Sequence, residues 1–391
     1  MTYGAYPAGR SVAERVRDHF VRHLQTAAVV GPDGQVLAEL AQQAGAIVAA
    51  PPDVDALETL IDVAFWTSLR REEGYVPIIS LALVSPDETP NPLRFAQPLS
   101  LKPATLAKVA PAVERPGIHL GVSEIEGTLA VWGATRILPA YCLVLEVAAP
   151  GLLVIKQHRG GEHTKFANIA VLEADQVKIV DEDASALPDC PSLLSSLLGF
   201  DTPASWTDSV NVLVQLSVSM RAHKRGGLLL VVPAGSDRWR ESIVAPIAYD
   251  LRPPLSVLAD LMLQKNADRD RLWQDALGRA IESIAGLTAV DGATIVTDRH
   301  ELLAFGAKIT RRRGSPPVEL TTVTEPIEGG SATVVHPSSL GGTRHLSAAQ
   351  FVHDQQDAVA LVASQDGRFT VFAWSPCENM VHAHRVETLL L

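Results

Sequence analysis

A chain of 391 residues is long for one hydrophobic core, so two domains are expected. With 47% hydrophobic and 20% charged residues, the composition is that of a packed globular protein and excludes a disordered chain. A net charge of −11 and an isoelectric point near 5.5 exclude a surface built to coat nucleic acid.

The first half opens with helical spacing, Val12, Val16, Phe20 and Leu24 falling on one face. No apolar leader precedes them. No run reaches the roughly 18 uninterrupted apolar residues of a membrane span; the longest, 143–155, is broken by Glu146 and by Pro150-Gly151. Cys142, Cys190 and Cys377 are widely spaced, odd in number and without Cys-x-x-Cys, which argues against a zinc ribbon or a disulfide framework. A cytoplasmic protein with no membrane partner is expected. A second helix is predicted over 54–71, with Asp53 as its N-cap. Beyond Glu72-Glu73-Gly74, short apolar runs at 77–84, 118–122, 128–132, 142–147, 152–155 and 177–180 predict strands of an α+β domain. His158 and His163 flank Gly160-Gly161 with no carboxylate or cysteine pattern beside them, and read as a solvated turn. An acidic stretch at 181–189, a helix over 192–198 and a junction at 199–203 close this domain, assigned to residues 1–200.

In the second half, helical periodicity over 210–223 runs through Lys224-Arg225-Gly226-Gly227 into Leu228-Leu229-Leu230-Val231-Val232, the pattern of a strand buried on both faces. A helix over 268–285 leads to Asp291-Gly292-Ala293-Thr294-Ile295-Val296, read as a turn and then a strand, with another strand over 302–309. Arg311-Arg312-Arg313 reads as a solvated charge run. Gly341-Gly342-Thr343-Arg344-His345 opens a helix over 347–354, followed by strands over 358–363 and 369–374. This alternation predicts a mixed-sheet α/β domain over 201–391. The tryptophans Trp66, Trp132, Trp206, Trp239, Trp273 and Trp374 read as core or interface anchors.

Two of these segments supply complementary chemistry. Asp291 sets a carboxylate beside the open backbone of Gly292 and Ala293, a hard oxygen donor suited to Mg²⁺ or Mn²⁺. Gly341, Gly342 and Thr343 at a helix start offer N–H groups and a hydroxyl to phosphate, reinforced by the helix dipole. Arg344 adds a planar fork for phosphate oxygens, and His345 a further donor. Alone, each motif is common as a turn or a helix cap. Occurring in order, each beside an apolar strand, they read as a nucleotidyl-transfer site.

The region from about 210 to 374 resembles the diadenylate cyclase (DAC) domain. The matching pieces are the run from His223-Lys224-Arg225-Gly226-Gly227 to Val232-Pro233, Asp291-Gly292-Ala293, Gly342-Thr343-Arg344-His345, and Ser364 after a buried strand. The first half is similar to a DACNV-like sensor domain, on Ala64-Phe65-Trp66-Thr67-Ser68-Leu69-Arg70-Arg71-Glu72-Glu73-Gly74, Val131-Trp132-Gly133 and Pro150-Gly151-Leu152-Leu153-Val154. The chain therefore reads as α/β: an N-terminal α+β sensor-like domain followed by a mixed-sheet α/β diadenylate cyclase domain. The resemblance implies an enzyme that condenses two ATP into cyclic di-AMP, each 3′-hydroxyl attacking the other's α-phosphate with release of pyrophosphate. It implies catalytic roles for Asp291, Arg344 and His345. Nucleotide contacts are implied for Gly292, Ala293, Ile309, Gly342, Thr343, Arg344, His345 and Ser364, with the Ile309 backbone at the adenine. Asp291 would ligate the Mg²⁺ or Mn²⁺. One site holds one ATP, so a homodimer or higher even oligomer is implied. Two positions depart from the family: Leu346 stands where Arg-His-Arg normally ends, and Gln365 where Glu usually follows the serine. Loss of a cation weakens phosphate binding and loss of a carboxylate weakens metal binding. A second reading stays open, a catalytically degenerate protein that binds ATP or a cyclic dinucleotide and passes that state to a partner.

Overall fold

The structure, a computed structural model, describes residues 6–27, 49–158, 166–180, 211–264 and 271–391, without the side chains of 23–27. The chain divides into two compact units, Met1–Asp181 with Leu391, and Glu182–Leu390. Several sequence expectations lie outside the described residues: the side chain of Leu24, the turn with Gly160-Gly161 and His163, the 181–189 stretch, Cys190, the 192–198 helix, the 199–203 junction, Trp206, Val210 and the start of the 268–285 helix.

The first unit is built on helices α1 (Gly9–Ala27), α2 (Val54–Ser68) and α3 (Pro103–Val113), and strands β1 (Ile79–Leu83), β2 (Leu93–Ser100), β3 (His119–Ile125), β4 (Thr128–Thr135), β5 (Leu143–Ala149), β6 (Leu152–His158), β7 (Phe166–Glu173) and β8 (Gln176–Ile179). The α2 helix starts where the sequence predicts because the Asp53 carboxylate accepts from Asp55 N at 2.9 Å and Ala56 N at 3.2 Å. It stops at Ser68, three residues short of the predicted end. The strands form one sheet in the order β2-β4-β3-β1-β5-β6-β7-β8, with β1 and β3 parallel and the other described pairs antiparallel. Val12, Val16 and Phe20 of α1 pack with Leu57, Ile61, Leu106 and the alternate strand residues Leu81, Leu120 and Leu145, as their periodicities dictate. The β2 strand was not predicted. It is a largely exposed edge strand carrying Pro98, so it has neither burial nor alternation to betray it. The α3 helix was not predicted; it carries Pro103 at its first position, where proline is well tolerated, and Pro111 inside. His158 corrects another expectation: it ends β6 as a buried residue with Nδ1 2.9 Å from Pro139 O, not in a solvated turn.

The second unit comprises α4 (Val212–Ala222), β9 (Gly227–Val232), β10 (Tyr249–Leu255), α5 (Val257–Met262), α6 (Arg271–Leu287), β11 (Ala293–Thr297), β12 (Leu302–Ala307), β13 (Thr321–Thr324), β14 (Thr333–Val335), α7 (Thr343–Asp354), β15 (Val359–Ala363), β16 (Phe369–Ser375) and β17 (Met380–Arg385). These strands form a sheet in the order β10-β12-β11-β9-β15-β16-β17-β13-β14, in which β9–β11 and β13–β17 are parallel. All six residues of β9 are buried, as its unbroken apolar run requires. Leu229 and Val231 meet Leu216 of α4 and Leu277 and Ile281 of α6. Leu228 and Leu230 meet Phe351 and Val352 of α7 on the other face. Both units are therefore mixed α/β. Among the described residues, no helix is long and apolar enough to cross a membrane.

Candidate functional site

Sheet topology gathers the two sequence motifs. Because β9 and β11 are parallel, Gly226 and Asp291-Gly292 lead into their strands at the same end of the sheet. The antiparallel neighbours finish at that end: β15 pairs Ala363 with Gly227, and β12 pairs Ala307 with Ala293. Register alone therefore brings Lys308 and Ile309 to the Asp291 side of this end, and Ser364 opposite Gly226.

Asp291 is exposed and its carboxylate forms an ion pair with Lys308 Nζ. The hydrogen bond and charge of Lys308, and then the more distant charge of Arg344, hold the Asp291 carboxyl below its ordinary pKa. The site is thus ionised and already cation-lined. Gly292 has φ +119°, and a Cβ there would lie 2.5 Å from the Gly306 carbonyl carbon. Only glycine lets β11 begin this close to β12. Gly226, at φ +70°, is the seat of Arg344: a Cβ would lie 2.9 Å from Arg344 Nη1 and 3.3 Å from Ala363 O. Arg344 therefore lies over bare backbone at the head of β9.

The α7 helix starts at Thr343 with Gly342 as N-cap, four residues before the predicted start. Among the described residues no side chain caps it, and no acidic residue occupies its first turn. His345 N donates to Gly342 O at 3.1 Å, which leaves the N–H groups of Thr343 and Arg344 and the positive dipole end facing outward. Gly341, Gly342 and Thr343 are exposed. His345 is different. It is buried at 3% exposure, edge-on to Phe372 at 6.0 Å, and its ring packs under Gly341. Burial pushes its pKa down, so the ring is neutral at neutral pH. Such a ring can donate a hydrogen bond or shape the Gly341-Gly342 backbone, but it brings no charge.

Ile309 is held by an isolated antiparallel bridge to Ile243. Its bonds run from Val244 N to Lys308 O at 2.8 Å and from Thr310 N to Ser242 O at 2.9 Å. The N–H and C=O of Ile309 itself consequently point away from the 242–244 segment, since successive residues of an extended chain alternate sides. The Ile309 side chain is half-buried and packs against the core. Ser364 is half-buried in the β15–β16 turn, its N–H donating to Arg368 O and its C=O accepting from Gly367 N. Gln365 is exposed and donates from Nε2 to Arg225 O at 3.4 Å. Leu346 exposes 38% of its surface.

The residues fit a divalent ion only in part. Among the described residues, no group of three or more His, Cys, Asp or Glu is arranged to hold a metal. A lone carboxylate suits Mg²⁺ when substrate phosphates and water complete the shell. Sequence reasoning missed Lys308 and the seating role of Gly226. Lys308 belongs to no motif, and Gly226 was read only as part of the 223–233 run; both roles follow from which strand ends are neighbours.

No curated protein matches the chain. Among solved structures, the chain is similar to a double mutant of DacA from Staphylococcus aureus, at 15% identity and a TM-score of 0.23, over 44% of this chain and 83% of that one. Residues 47–136, from just before α2 to just past β4, match the family described as probable sensor domain DACNV.

Proposed function

We propose that the second unit is a diadenylate cyclase, joining two ATP into cyclic di-AMP with release of pyrophosphate, and that the first unit regulates it. The observation that carries this reading is the meeting of Asp291 and Arg344 at one sheet end, with Gly226 leaving room for the guanidinium. The triphosphate lies against the uncapped N-terminus of α7, where Thr343 and the first N–H groups bind it and Arg344 fixes two of its oxygens. The outward N–H and C=O of Ile309 read the adenine edge, and Gly292 lets the nucleotide approach the backbone. Asp291, with the phosphates, would hold Mg²⁺ or Mn²⁺, which when bound neutralises charge at the α-phosphate and favours the deprotonated 3′-hydroxyl. His345 holds the Gly341-Gly342 backbone in place from beneath. One such site presents one nucleotide, so two copies must face each other for each hydroxyl to reach the other's phosphorus. The match of residues 47–136 to a sensor domain supports the regulatory role of the first unit.

The test is incubation of the full chain with ATP and Mn²⁺ or Mg²⁺, with products separated by chromatography. Cyclic di-AMP is expected from wild type and not from Asp291→Asn, an isosteric change whose melting temperature should stay close to wild type. Initial rates should climb more steeply than in proportion to protein concentration. A second reading, a nucleotide-binding regulator without turnover, is favoured by Leu346 and by the engagement of Gln365 with Arg225 O. ATP binding with no product under either metal would establish it.

A further inference from the structure

We infer that Lys308 is a second phosphate-binding cation of this site, held on Asp291 until a nucleotide arrives. The inference rests on the reading of this sheet end as a nucleotide site.

The Lys308–Asp291 pair joins side chains that are 54% and 90% exposed. A pair so exposed contributes little to stability and exchanges readily, so the fold does not require it. The root of Lys308 is nevertheless fixed. Its carbonyl accepts from Val244 N at 2.8 Å, Ala307 before it is registered opposite Ala293, and Ile309 after it is bridged to Ile243. Only the four-carbon stem is left to move. That stem already delivers its ammonium to the carboxylate expected to hold the divalent ion. Phosphate oxygens sharing an octahedral ion with that carboxylate would lie about 3 Å from it, within reach of the same ammonium by rotation of its last torsions. The site also has a vacancy for such a charge: the position where a second motif arginine is expected carries Leu346, apolar and exposed. Lysine suits the role, being a point charge with three rotatable donors.

Without nucleotide, the ammonium competes with a divalent ion for Asp291. When phosphates arrive they take the ammonium, and both carboxylate oxygens become free. Nucleotide and ion therefore bind cooperatively, through exchange of one lysine between two anions.

The full chain is tested as wild type, Lys308→Met and Lys308→Arg. Binding of ATP and of adenosine is measured at equilibrium, and Mn²⁺ binding without nucleotide by electron paramagnetic resonance. Lys308→Met should lower the preference for ATP over adenosine by about tenfold or more, the loss of one charge-assisted contact. It should also tighten Mn²⁺ binding severalfold, and Lys308→Arg should retain most of the ATP preference. An ATP-to-adenosine ratio unchanged in Lys308→Met overturns the inference while leaving the cyclase reading untouched. Wild type that binds ATP but makes no product overturns the cyclase reading, and the same ratio still decides Lys308. Wild type that binds neither compound overturns both.

Discussion

At Gly226 two demands meet. The backbone sits at φ +70°, and the space a side chain would fill is taken by the Arg344 guanidinium. Gly226→Ala should therefore lose about 1–2 kcal/mol of stability to backbone strain and, separately, weaken ATP binding by displacing Arg344. Gly235 is the matched control, because its φ is +75° and nothing lies within 4 Å of its Cβ position. Gly235→Ala should show a similar loss of melting temperature with nucleotide affinity unchanged; if both variants bind ATP like wild type, Gly226 does not seat a functional arginine. Arg344→Ala should weaken ATP binding by about 1.5–3 kcal/mol, as expected for a charge-assisted phosphate contact, read by equilibrium titration.

Elements differ in how plainly they announce themselves. Asp53 caps α2 through two backbone N–H groups, so Asp53→Ala should destabilise the protein by about 1 kcal/mol, seen as a lower denaturant midpoint. That cap was legible in the sequence, as were β9, β11, β15 and β16, whose buried apolar runs leave no second interpretation. Several strands that escaped bury little or bury polar side chains, although the almost wholly buried β7 and the threonine-rich β13 escaped as well. The edge strands β2 and β10 are exposed and carry prolines, and β14 is three residues long. The β17 strand reads Met-Val-His-Ala-His-Arg, and its inward His382 and His384 disguise the alternation as polar. The sheet therefore continues past the last strand that periodicity predicts, with β17 between β16 and β13. The candidate site follows the same logic. Asp291 and the Gly342-Thr343-Arg344 turn stand out as local motifs, whereas Lys308 meets Asp291 only because Ala307 is registered opposite Ala293.

Across the whole molecule, buried histidines set a pH limit. Burial lowers His119 to about 4, and burial with the neighbouring His382 lowers His384 to about 3. Burial pushes His158, His300 and His345 down as well. In the unfolded chain each would titrate near 6.5. Between those values the unfolded state binds more protons, so stability rises with pH through that window. It is fully present above about pH 6.5 and falls progressively as pH drops to the folded values of about 4 for His119 and about 3 for His384. The denaturant midpoint should be lower at pH 5 than at pH 7.5, and His384→Gln should flatten that dependence; equal midpoints at the two pH values would contradict it. The exposure of Asp291 bears on the chemistry in another way. With 90% of its side chain open, the carboxylate sits in a medium close to bulk water. Coulomb forces in bulk water are about fourfold weaker than at the effective dielectric typical of charges near a protein surface. Under the cyclase reading, a partner closing over this end would act above all by displacing water and lowering the local dielectric constant.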